Sequence, residues 1–168
     1  MAYEFKTRRR VEFADTDMAG ITHFSSFFRY MEEAEHAFFR SLGLSIVFEE
    51  KGRTVSWPRV ASSCEFFSPV RFEDEIDVHL WVSRKGRTSL THIATFSKNG
   101  TLVARGKMTA VCCTPNKNGT LRRIPIPAFV GKKIEQAPFA EPFAEPFAEK
   151  EETSRKQLRK TRAKKRSK

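Results

Sequence analysis

Cysteine is scarce in this 168-residue chain: Cys64, Cys112 and Cys113 are the only ones, an odd number with an adjacent pair and no CxxC. That makes both a disulfide framework and a zinc site poor readings. Cys112 and Cys113 fall in an apolar, strand-like run, where they read as small buried hydrophobes. Tryptophan and tyrosine occur twice each. No apolar run approaches the ~18 residues of a membrane-spanning helix, and the mean hydropathy is −0.50. HExxH, a Gly-x-Ser-x-Gly elbow and a phosphate-binding glycine loop are all missing, which disfavours a metal or nucleotide-hydrolysing enzyme. The N-terminus has no apolar signal region, and with the reduced cysteines this predicts a cytoplasmic protein.

Phenylalanine is abundant, with 16 residues, and hydrophobic residues make up 39% of the chain, enough for one core. The net charge of +11 is unevenly spread. Lys150 to Lys168 holds ten Lys or Arg against two Glu, so the preceding part is only mildly basic. Residues 138–149 read Pro-Phe-Ala-Glu three times. A proline every fourth residue suits an extended linker rather than a helix. We therefore expect a folded domain over 1–132, a flexible linker over 133–149 and a basic disordered tail over 150–168.

Residues 3–13 read as a first strand. Phe27, Met31, Ala34, Phe38 and Leu42 recur at helical spacing and predict a helix over Ser26 to Leu42, capped by Ser25 or Ser26 and closed by Gly43. Ser45 to Arg53 reads as irregular or a short helix. Strands are expected at Val55 to Phe67, Glu75 to Arg84, Ser89 to Lys98 and Thr101 to Thr114, separated by turns at Ser68-Pro69, Lys85-Gly86 and Asn99-Gly100, the last a strong hairpin signal. A tight turn at Asn118-Gly119 precedes Leu121 to Pro127. This order predicts an α+β domain with one antiparallel sheet against one helix.

Chemistry concentrates in Asp15-Thr16-Asp17-Met18-Ala19-Gly20-Ile21-Thr22-His23-Phe24. This loop carries two carboxylates into the start of a greasy helix, where unpaired N–H groups can hold the oxygen of a polarised carbonyl. A carboxylate just upstream could attack that carbonyl or activate a water. Gly20 would let backbone approach a substrate closely.

Asp17-Met-Ala-Gly20, followed by Phe27-Phe28-Arg29-Tyr30-Met31-Glu32, resembles the signature of the 4-hydroxybenzoyl-CoA thioesterase family. The resemblance extends from residue 3 to about 130. It implies a hotdog fold, in which a curved antiparallel sheet wraps a long central helix, and hydrolysis of acyl-CoA thioesters without metal or cofactor. It also implies a homodimer or homotetramer with active sites at the subunit interface. The family's catalytic Asp falls on Asp17, leaving Asp15 structural, and N–H groups near Phe24 would polarise the thioester. Many relatives carry His or Tyr seven residues after this Asp. Here that position is Phe24 and the histidine is His23, which either faces the pocket or sits as a polar interface residue.

Coenzyme A is polyanionic, and Arg84, Lys85, Arg87 and Ser89 form a basic turn suited to it. Trp57 walls the acyl pocket or packs at an interface. His36, His79 and His92 read as ordinary helix and strand residues. Two competing readings are a non-catalytic acyl-CoA-binding or scaffolding hotdog protein, and nucleic-acid or anionic-surface contact through residues 150–168.

Overall fold

The computed structural model describes residues 1–139. Strands β1 (Glu4–Arg10), β4 (Arg59–Phe66), β5 (Glu75–Lys85), β6 (Ser89–Lys98) and β7 (Thr101–Val111) form one antiparallel sheet. Its order is β1-β5-β6-β7-β4. Helix α1 (Phe24–Ser41) lies against one face. Its buried residues Phe27, Tyr30, Met31, Ala34, Phe38 and Phe39 follow the 3.6-residue period. They meet alternate residues of the sheet: Ile76, Val78, Leu80 and Val82 from β5, Leu90, Ala94 and Phe96 from β6, and Ala104, Met108 and Ala110 from β7. Gly106 lies in this inner row because a Cβ there would run into the Met31 thioether. This is the hotdog fold that the sequence implies.

Several boundaries differ from expectation. The helix starts at Phe24 rather than Ser26, and its cap is His23 rather than a serine. His23 Nδ1 stands 3.4 Å from the Ser25 N–H and 2.7 Å from Ser25 Oγ. Ser26 is instead buried, donating to the Asp15 carbonyl at 3.0 Å. The stretch Ser45 to Arg53 contains β2 (Phe48–Glu50), which pairs with β3 (Arg53–Val55) across a Lys51-Gly52 turn.

The long strand from Val55 splits into β3 and β4, since Pro58 has no N–H to continue a ladder. Likewise β9 (Leu121–Arg123), paired with β8 (Cys113–Pro115), stops before Pro125 and Pro127.

The compact unit runs from Met1 to Pro138, further than the expected boundary at 132. After the short helix α2 (Ala128–Gly131), Ile134 is buried and bridges Ala2, and the Ala137 N–H donates to the Val82 carbonyl at 2.8 Å. Residues 133–138 thus belong to the domain. The rest of the expected linker from residue 140, and the basic tail, lie outside the described residues. No helix among the described residues is long and apolar enough to cross a membrane.

Candidate active site

The loop between β1 and α1 is closed at its base by Asp15, the last residue of a 3-10 turn over Phe13–Asp15. The Asp15 carbonyl accepts the His23 N–H at 2.8 Å. Inside the loop, Thr16 bridges Thr22, the Asp17 N–H donates to the Ile21 carbonyl at 2.9 Å, and the Gly20 N–H donates to the Asp17 carbonyl at 2.9 Å. Gly20 takes φ +71, a left-handed conformation that glycine reaches without strain. The half-buried Asp17 turns one carboxylate oxygen to the Ala19 N–H at 2.8 Å.

Asp17 opens onto a cavity of about 470 Å³. Ile21, Phe24 and Phe27 line one side, and Phe66, Phe67, Pro69 and Val70 the other. The second wall lies where β4 ends, and the Thr22 N–H to Val70 carbonyl bond, 2.7 Å, ties it to the loop. Sequence reading found Asp17 and Phe24 but took Ser68-Pro69 only as a turn. Its one signal was the adjacent Phe66-Phe67, two large apolar residues at the end of a strand otherwise mostly exposed.

The Phe24 N–H, at the first turn of α1, has no acceptor among the described residues. It faces the same end of the helix where the macrodipole is positive. The arrangement can therefore place a carboxylate and a backbone donor about one carbonyl group.

Asp15 is 3% exposed and occupied structurally. Its carboxylate accepts from the Glu12 N–H at 3.0 Å and pairs with Arg29 at 2.5 Å and Arg9 at 3.6 Å. Burial alone would raise its pKa, but the Tyr30 phenol, the Glu12 N–H and the two guanidiniums outweigh it and hold the carboxyl below its ordinary range.

Other expected site residues fall elsewhere. His23 caps α1, stacks beside Phe24 and does not line the cavity. Trp57 is 2% exposed and packs edge-on against Phe39, so it belongs to the core and walls no acyl pocket among the described residues. Arg84 and Arg87 are exposed at the β5–β6 turn. Ser89 closes that turn by accepting the Gly86 N–H at 2.9 Å.

Lys85 is turned inward, donating to the carbonyls of Gly131 at 2.5 Å and Ile134 at 2.6 Å, so it anchors the C-terminal segment rather than offering a free charge. The turn pairs beside Ala110, whereas the cavity wall at Phe66 pairs with Ala104. Six residues of strand separate them, roughly 20 Å. One chain does not bring the basic turn to Asp17.

Fold and site together define a hotdog-fold thioester hydrolase. The chain belongs to the thioesterase-like superfamily, whose profile matches residues 11–134. It is 36% identical over 123 residues to a protein of Aquifex aeolicus (strain VF5) described as an inferred esterase, covering 72% of this chain and 91% of that one. It is 28% identical over 137 residues to the 1,4-dihydroxy-2-naphthoyl-CoA hydrolase of Synechococcus sp. (strain WH7803), covering 77% and 88%. Among solved structures, a gentisyl-coenzyme A thioesterase superposes with a TM-score of 0.64 at 27% identity, covering 76% of this chain and 99% of that one. The 4-hydroxybenzoyl-CoA thioesterase of Pseudomonas sp. strain CBS-3 shares the fold at TM-score 0.66 and 21% identity, covering 77% and 99%.

Proposed function

We propose that this enzyme hydrolyses an acyl-CoA thioester to the free acid and coenzyme A, with Asp17 as general base or nucleophile. The observation that carries the reading is that Asp17 and the start of α1 line one apolar cavity. The acyl group lies against Phe24, Phe27, Phe66 and Phe67, with its thioester carbonyl toward the Phe24 N–H. As base, Asp17 takes a proton from water, whose oxygen bonds to the carbonyl carbon. The charge passes to the carbonyl oxygen at the helix N-terminus, then returns as the C–S bond breaks. The departing thiolate takes the proton from Asp17. As nucleophile, the carboxylate would itself bond to that carbon and expel the coenzyme A thiolate; water would then hydrolyse the resulting anhydride, restoring the carboxylate and supplying the proton that the thiolate takes. Neither route needs a metal or cofactor.

The apolar lining favours an apolar acyl group, aryl or alkyl. The distance from Asp17 to Arg84 and Arg87 favours a homo-oligomer in which a second copy brings its basic turn to the coenzyme A phosphates. Phe24, Phe66 and Phe67, which line the cavity and remain exposed, support such a contact.

The test is thiol release from a panel of aromatic and aliphatic acyl-CoAs, run beside Asp17→Asn. Turnover that collapses in the variant supports the reading. Binding without turnover on every substrate would replace it with a non-catalytic acyl-CoA carrier.

A further inference from the structure

We propose that Asp15 is the positioning residue that sets where the Asp17 carboxylate stands relative to the N-terminus of α1. This rests on the role given to Asp17 above.

Asp15 joins three elements at one buried point. Its carboxylate reaches Arg9 on β1 at 3.6 Å and Arg29 in the first turns of α1 at 2.5 Å, and accepts the Glu12 N–H of its own turn at 3.0 Å. Arg9 continues the joint to Glu33 on α1 at 2.9 Å. The Asp15 main chain does a second task. Its single carbonyl accepts both the His23 N–H at 2.8 Å and the Ser26 hydroxyl at 3.0 Å. Residues 16–22 therefore leave from and return to the same residue, and Asp17 lies two positions from that anchor.

A simple loop cap would need only a neutral acceptor for the Glu12 N–H. The observed group is an ion, nearly fully buried and facing two guanidiniums from different elements. Burying an ion is costly unless it is paired, so this joint is rigid where it is fully paired and weak where one partner is lost. A reacting carboxylate needs that rigidity, because a displacement of about 1 Å can slow a reaction ~100-fold.

The experiment measures kcat and KM on one acyl-CoA thioester for full-length Asp15→Asn, Asp17→Asn and the double variant. Acting through Asp17, Asp15→Asn lowers kcat roughly 10- to 100-fold with KM near the wild-type value. It adds no further loss on the Asp17→Asn background. An unchanged kcat, or the same factor in both backgrounds, overturns the proposal.

If Asp15→Asn does not fold, Arg29→Gln is the substitute, since that side chain is 56% exposed. Amide exchange gives a readout independent of turnover. Protection at Asp17, Gly20 and His23 should fall in the variant while β5 to β7 stay protected, and unchanged loop protection also overturns the proposal. If the wild type hydrolyses no thioester, or Asp17→Asn is fully active, the role of Asp17 fails, and exchange alone still decides whether Asp15 braces the loop.

Discussion

Glu35 Oε1, on the buried face of α1, lies 3.4 Å from Nδ1 of His92 on β6, and both side chains are shut off from solvent. Arg59, entering β4, pairs with the other Glu35 oxygen and donates to the Trp57 carbonyl at 2.9 Å. Burial raises the Glu35 pKa from 4.5 to about 7, against the opposing pull of Arg59. Burial, with Arg59 adding to it, lowers that of His92 from 6.5 to about 3.

These two shifts act on stability with opposite signs. The contribution of Glu35 is complete below pH 4.5 and is lost as pH rises through about 7. That of His92 is complete above pH 6.5 and is lost as pH falls through about 3. Between these limits the wild type should show a shallow profile. Glu35→Gln should lose stability on acidification from pH 6.5, whereas His92→Gln should gain it from pH 7 downward, each approaching ~1 kcal/mol per pH unit. Urea unfolding at pH 5 and pH 7 measures both slopes, and parallel profiles in the two variants would refute the assignment.

Removing one member of the buried pair should be worse than removing both. Arg59→Met leaves the Glu35 carboxyl without its cation, so the loss should be small at pH 5, where the group is protonated, and should grow above pH 7 toward about 3–5 kcal/mol. Combining it with Glu35→Leu should recover much of that loss, as read from denaturant midpoints. An additive double variant would show that the pair does not interact as its geometry indicates.

Gly106 on β7 leaves the space that the Met31 thioether of α1 fills. Gly106→Ala forces the buried Met31 thioether to move and should destabilise by about 1–3 kcal/mol, visible as a lower melting temperature. Pairing it with Met31→Ala should relieve the crowding.

Phe67 forms one wall of the cavity and is half exposed. Phe67→Ala should weaken binding of apolar acyl groups by about 1 kcal/mol, roughly a fivefold rise in KM, with little change in kcat. An unchanged KM across a series of acyl lengths would move the acyl group to another surface.

Arg84→Ala and Arg87→Ala should raise KM for an acyl-CoA by up to about fivefold each, the range of an exposed ion contact. They should leave an acyl-pantetheine, which lacks the nucleotide phosphates, unaffected. Equal effects on both substrates would remove this turn from coenzyme A recognition.

What the sequence determined by itself is local. The α1 stripe, the Asn99-Gly100 hairpin and the Asp17 to Gly20 loop before the helix are readable because neighbours within a few residues set helical period, turn conformation and loop entry. The fold follows from their order. Tertiary structure decided what those residues face. Trp57 went to the core because Pro58 breaks the strand and Phe39 covers the ring, and Lys85 turned inward because two carbonyls from Gly131 and Ile134 arrive beside it. His23 took the cap from the serines because the Asp15 carbonyl holds its N–H, and Phe66 to Val70 became the second cavity wall through a bond from Thr22. Each of these outcomes depends on groups distant in the chain, or on a fixed loop, and side-chain type and spacing do not encode which of them will meet.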